Sequence, residues 1–243
     1  MCIRDSFLAY AQQFKEDFNA LEAEHANLLA AMDRAYKLEA WEVVTGFGRA
    51  ICPPATGYLY VRGYWTEARR RLAQAAEAAR RLGDHHSEGA FANATAAICA
   101  NQGDLDQARQ EYERALRIAR EHGYRQGEAA TLHQLGILAQ DTGDYDQARR
   151  LYQQSLDIAQ QLGDKDGNAR SLAQLGRVAE LEKDDVTAVR YWTQALELLE
   201  ALGAPEREIV RGWFARLREE LGEDRFNEVL EEAAKGSRLK PAG

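Results

Sequence analysis

Apolar residues recur along most of this chain at intervals of three and four, the spacing that gathers them on one face of an α-helix. Between Gly127 and Gly163, residues Leu132, Leu135, Gly136 and Ala139 form one such stripe. Gly143-Asp144 interrupts it, and a second stripe follows with Ala148, Tyr152, Ser155 and Leu156. Asp144 has the side chain of an N-cap, and Gly163 stands just past the last periodic residue, where helices stop. The segment reads as helix, turn, helix.

It is one copy of a repeat. Gly103-Asp104-Leu105-Asp106-Gln107-Ala108-Arg109 returns as Gly143-Asp144-Tyr145-Asp146-Gln147-Ala148-Arg149, and weaker copies begin at Gly63 and Lys183, each 40 residues from the next. Gly83, Gly123, Gly163 and Gly203 keep the same step. Two landmarks with one period identify a repeat array. Pro53-Pro54 falls in the first helix of the first repeat and predicts a break there. Outside the array, Phe7 to Phe18 and Leu21 to Leu38 read as two amphipathic helices. Pro205 to Leu221 reads as another, with Ile209, Val210, Trp213, Phe214 and Leu217 as its apolar side. Glu223 to Ala234 reads as a short closing helix, and residues 236–243 as a flexible basic tail.

These residues resemble the tetratricopeptide pattern: a large apolar residue, Leu-Gly, a small residue, Gly-x-Tyr-x-x-Ala, an aromatic, then a small residue. The third repeat supplies Leu132, Leu135-Gly136, Ala139, Gly143, Tyr145, Ala148, Tyr152 and Ser155. The fourth supplies Leu172, Leu175-Gly176, Ala179, Ala188, Trp192 and Ala195, with Lys183 and Asp185 where Gly and Tyr are usual. Such repeats commonly run to about 34 residues, so the 40-residue repeats here imply longer helices. The resemblance implies an all-α fold, a TPR α-solenoid: a right-handed superhelix of antiparallel helix pairs. Four repeats would occupy 41–203, with linking helices at 7–40 and a capping helix pair at 204–235. Tyr152 and Trp192 are expected to plug the space between repeats.

The resemblance also carries a function. Such arrays are protein–protein interaction modules that hold a peptide or partner helix in a concave groove. The flanks are similar to segments of bacterial STAND/NB-ARC-type ATPase regulators: Leu21-Glu22-Ala23-Glu24-His25 on one side, Leu221-Gly222-Glu223-Asp224-Arg225-Phe226 on the other. This implies an alternative reading, the sensor or autoinhibitory C-terminal arm of a larger ATP-dependent signalling or transcription regulator. Met1-Cys2-Ile3-Arg4-Asp5-Ser6 back-translates to the transposase adaptor end used in sequencing libraries. Residues 1–6 are therefore expected to be a scar, with Phe7 an interior residue of a longer parent.

Composition narrows the chemistry. The hydrophobic fraction of 45% suits a packed core, and no run approaches the roughly 20 apolar residues that span a bilayer. A formal net charge of -8 argues against a nucleic-acid surface. Cys2, Cys52 and Cys99 show neither a disulfide framework nor zinc-site spacing, and no secretory leader is legible, so a cytoplasmic setting is expected. Arg69-Arg70-Arg71 reads as a solvated helix face.

No catalytic, cofactor or metal site is expected. The phosphate-binding Gly-x-x-x-x-Gly-Lys-Ser/Thr is missing, and Gly46-Phe47-Gly48 lacks a third glycine. Asp164-Lys165-Asp166-Gly167-Asn168 mimics a calcium loop, but Ala169 and Leu175 stand where Gly and Glu are required. Glu22 and His25 have Glu-x-x-His spacing without the second copy a di-iron site needs. His85-His86 reads as a solvated turn, and Cys99 as a small core residue.

The expected binding face follows from helical geometry. Opposite the core stripe of the first helix of each repeat, at 3.6 residues per turn, stand Ala90, Asn93, Ala97, Ala100 and Asn101 in the second repeat. The third offers Ala130, His133, Gln134, Ile137 and Gln140, and the fourth Arg170, Ala173, Gln174, Arg177 and Glu180. Of these, Asn93, Ala97, Asn101, His133, Gln134, Ile137, Gln140, Arg170, Gln174 and Arg177 are the candidate peptide-groove residues. Their amides could satisfy a peptide backbone, and Arg170 with Arg177 predicts a partner with an acidic segment near the fourth repeat.

Overall fold

The computed structural model describes residues 3–53 and 57–237, and every regular element among them is helical. In chain order these are α1 (Ile3–Gln13), α2 (Phe18–Ala23), α3 (His25–Lys37), α4 (Trp41–Ile51), α5 (Tyr58–Val61), α6 (Trp65–Leu82) and α7 (His85–Asn101). They continue as α8 (Leu105–Glu121), α9 (Arg125–Asp141), α10 (Tyr145–Leu162), α11 (Lys165–Leu181), α12 (Asp185–Leu202), α13 (Arg207–Leu221) and α14 (Glu223–Ser237). Two compact units divide the chain at residues 131 and 132, so that α9 contributes to both.

The repeated turns use one aspartate twice. At the end of α6, Gly83 is left-handed (φ +70), its N–H donates to the Arg80 carbonyl at 3.1 Å, and the Asp84 N–H donates to the Ala79 carbonyl at 2.9 Å. This is a Schellman stop. The Asp84 carboxylate then accepts the Ser87 N–H at 3.0 Å and caps α7. Asp104, Asp144, Asp164 and Asp184 do the same for α8, α10, α11 and α12. Turns this short force consecutive helices to run antiparallel.

In the first unit, α1 to α7 share a core that includes Leu21, Leu28, Met32, Phe47, Ile51, Tyr58 and Leu72. Helix α4 ends at Ile51, next to Pro53, as the proline pair predicted; Pro54 lies outside the described residues. The segment from Leu21 to Leu38 is not one helix. It divides at Glu24, which closes α2 and opens α3, and Asp17 caps α2 through the Ala20 N–H. Ile3 to Ser6 are the first turn of α1; Met1 and Cys2 lie outside the described residues.

The arginine run is not a solvated face. Arg71 is buried, with its guanidinium on both Asp33 oxygens at 2.5 and 2.9 Å and on Glu67 at 2.5 Å. Arg70 also reaches Asp33, at 2.9 Å. Arg69 donates to Gln102 at 3.1 Å, 33 residues on, tying α6 to the end of α7. In the second unit Arg149 makes the equivalent reach to Glu182. Arginine's long stem and forked head suit it to such staples.

The second unit is organised on two glycine–aromatic contacts. A Cβ on Gly136 of α9 would lie 2.6 Å from the Tyr152 ring, and one on Gly176 of α11 would overlap the Trp192 indole. Both rings are fully buried. Tyr152 fills the gap to the preceding helix of its own repeat, which carries its partner glycine, and shares a buried core with Ala169 and Leu172 of the next repeat. Trp192 does both: its Nε1 donates to the Ala173 carbonyl at 3.2 Å, while Trp213 and Phe214 of α13 lie 5.7 and 5.6 Å away. Val210, Leu217, Phe226, Val229 and Ala233 complete this core from the cap. Ile209, expected on the cap's apolar side, is 56% exposed. Helix α14 takes up Gly236 and Ser237 of the expected tail; residues 238–243 lie outside the described residues.

Candidate functional site

The first helices of the repeats are buried on several sides. On α7, Ser87, Glu88, Phe91, Ala92, Ala94, Ala96, Ile98 and Cys99 are all buried, whereas α8 buries only Ala108, Tyr112, Ala115 and Ala119. What α7 leaves uncovered is narrow: Ala90 and Asn101 are exposed, and Asn93, Ala97 and Ala100 half-buried. Asn101 donates to the Ala97 carbonyl and to the Tyr60 hydroxyl, both at 2.8 Å.

Asn93 is oriented by its neighbours. The Thr131 hydroxyl donates to the Gly127 carbonyl at 2.7 Å, so its oxygen can only accept from the Asn93 amide, at 2.8 Å. The amide nitrogen therefore faces Thr131, and the Asn93 Oδ1 is buried without a hydrogen-bond partner. A buried acceptor left unmade costs about 1–3 kcal/mol. Asn93 lines a cleft of about 100 Å³ between α7, α8 and the first turns of α9. At its rim the His85 and His122 rings stack 3.8 Å apart, and His86 meets Tyr124 edge-on at 5.3 Å. A second cleft, about 240 Å³, opens between α4 and α7 and shares Ala90 with the first.

In the second unit, Gln134 and Arg170 are exposed, while His133, Ile137, Gln140, Gln174 and Arg177 are half-buried. Ala173 and Glu180, expected on the open face, are buried. Gln140 accepts a hydrogen bond from the Tyr152 hydroxyl at 3.2 Å. Burial, with Arg170 adding to it, pushes His133 down to about 4, and its Nδ1 is buried without a partner. Arg170 pairs with Asp166 at 2.6 Å and Arg177 with Glu180, which also receives Arg216 at 2.7 and 2.9 Å.

One polar cluster escaped the sequence reading. Tyr64 and Tyr58 donate to the two oxygens of Glu22, at 2.7 and 2.9 Å. With the Tyr58 proton spent there, His25 Nδ1 donates to the Tyr58 oxygen at 2.8 Å. The hydrogen bonds of Tyr64 and then Tyr58 hold the Glu22 carboxyl below the usual carboxylate range. The Glu-x-x-His spacing was visible, but its partners lie 33 to 42 residues away. These side chains satisfy one another and fasten α2 and α3 to α5 and α6.

Asp164 of the calcium-like run is a helix cap. Among the described residues no group of three or more His, Cys, Asp or Glu side chains is placed to hold a metal, and no helix is long and apolar enough to cross a membrane. Burial pushes the Cys52 thiol up to about 12 and raises that of Cys99.

The chain is similar to several solved structures. BtubC (BKLC) from P. vanneervenii matches with a TM-score of 0.65 at 16% identity, over 100% of this chain and 95% of that one. A Podosopora anserina chain named after kinesin light chain, with nearly identical TPR-like repeats, gives 0.58 at 17%, over 84% and 98%. The MamA protein gives 0.56 at 17%, over 82% and 92%. No curated protein sequence matches. At these identities the likeness establishes the fold, an all-α TPR-like solenoid. The tetratricopeptide repeat profile matches residues 96–122 and 127–201. Repeats of this kind make protein–protein interaction modules, and this chain carries them over those two stretches.

Proposed function

We propose that the chain holds a peptide or partner helix against the uncovered strips of its first helices, α7 in the first unit and α11 with the end of α9 in the second. The observation that carries this is the character of those strips. Helices buried on most sides keep one narrow line of small and amide side chains, Ala90, Asn93 and Ala97 on α7 and Gln174 on α11, and beside α7 the fold leaves two clefts unfilled. Amides there offer both donors and acceptors to a backbone. The acidic preference expected from Arg170 and Arg177 has no such support, since both are already paired with carboxylates.

Photo-cross-linking tests this reading. A benzophenone amino acid at Ala97 or Gln174 should trap a partner protein in cells. The same group at Gln110 or Gln160, exposed on second helices, should not. Equal trapping at all four positions, or none at any, removes the proposal.

A further inference from the structure

The two clefts beside α7 differ in a way that selects a ligand. The larger, between α4 and α7, has walls from Gly48, Phe91 and Ala94. Gly48 lets α4 pack closely on its neighbours, since a Cβ there would lie 2.9 Å from the Phe91 ring and 2.5 Å from Ala75; the cleft opens beside that contact. An apolar cavity of about 150 Å³ accepts benzene, so about 240 Å³ accepts an aromatic side chain. At its mouth stands Arg49, whose side chain is 57% exposed. Arg49 donates to the Ser87 hydroxyl at 2.9 Å, and its carboxylate neighbour, Asp84, is 3.4 Å away and already caps α7. That contact is longer than the 2.6 Å pair of Arg170 with Asp166. An anion is favoured here.

The smaller cleft, about 100 Å³ and walled by Ala115 and Ala119, has room for an aliphatic side chain. Its polar demand is fixed by Thr131: the Asn93 Oδ1 needs a donor, and a neutral backbone N–H is the simplest. Ala90 lines both clefts and is exposed, and its methyl group is too small to block a chain crossing over it. In an extended peptide, alternate side chains point the same way, about 7 Å apart.

We infer that the α7 face of the first unit binds an extended acidic peptide, with an aromatic side chain in the α4–α7 cleft beside Arg49 and an aliphatic one, two residues on, in the cleft of Asn93. This rests on the reading of the chain as a peptide-holding module and names the partner's chemistry.

The test uses the full chain and a fluorescein-labelled peptide, Asp-Glu-Phe-Ser-Val-Ser, followed by anisotropy. Binding is expected with Kd below about 1 mM. Each single change should weaken it by about tenfold or more: Ala90→Tyr, Arg49→Glu, phenylalanine to alanine in the peptide, or N-methylation of its valine. Ala90 is exposed, so thermal melting should be unchanged in Ala90→Tyr; Arg49→Glu gives up the Ser87 bond and faces Asp84, so circular dichroism at the assay temperature checks that it stays folded. Absence of binding by the parent chain overturns the inference, as does binding that survives both protein changes. If the peptide ignores the α7 variants while cross-linking from Ala97 and Gln174 still traps a partner, the module stands and only this ligand assignment falls.

Discussion

The indole of Trp192 occupies the space that a side chain on Gly176 would need. A Cβ at Gly176 would stand 2.5 Å from the indole Nε1 and 3.0 Å from the Ala188 carbonyl, which is backbone and cannot swing aside. Gly176→Ala should therefore destabilise the chain by about 1–3 kcal/mol, because overpacking outweighs the better helix propensity of alanine. Urea unfolding measures it; a variant as stable as the parent would show that the indole has another place to go.

Lys183 holds the left-handed position that glycine holds at the other repeated turns, with φ +65. A side chain there costs about 1 kcal/mol. Lys183→Gly should raise stability by about 0.5–1 kcal/mol, while Gly163→Ala at the preceding turn should lower it by a similar amount. Opposite signs in the two melting curves are the expected result.

Asp33 is the main counter-ion of buried Arg71. Its carboxyl is held below the usual range by the hydrogen bonds of Arg71 and Gln74, which overcome the opposing effect of its own burial. Asp33→Ala leaves Arg71 buried with only Glu67, at an expected cost of about 3 kcal/mol. Asp33→Leu with Arg71→Met should recover most of the loss, because two apolar groups need no partner. A double-mutant cycle reads the coupling.

His133 gives a pH dependence with a definite sign. Its folded value of about 4 lies below the ordinary 6.5, so the unfolded chain binds the extra proton more readily. Stability from this group is complete above about pH 6.5 and falls as pH drops towards about 4, by roughly 1–3 kcal/mol. His133→Gln should remove that slope while leaving the losses from Glu22 and Asp33 at lower pH. An unchanged slope between pH 6.5 and 4.5 would place its origin elsewhere.

Removing residues 205–243 should uncover Trp192, now packed on Trp213 and Phe214, and cause association at micromolar concentration. Sedimentation velocity distinguishes this from simple loss of stability.

The repeat, its helix boundaries and its turns were legible because they depend on local chemistry. Gly-Asp stops one helix and starts the next through bonds reaching no further than five residues, and the 40-residue step shows that chemistry several times over. The aromatic plugs were recognisable. The rest depended on partners distant in sequence. Arg71 looked like its neighbours Arg69 and Arg70 until Asp33, on another helix, made burial tolerable. Ile209 shared the periodicity of Val210 and Trp213, yet the packing of the cap left it in solvent. Periodicity reports which residues share a face; only packing decides how wide a face is covered, and by what.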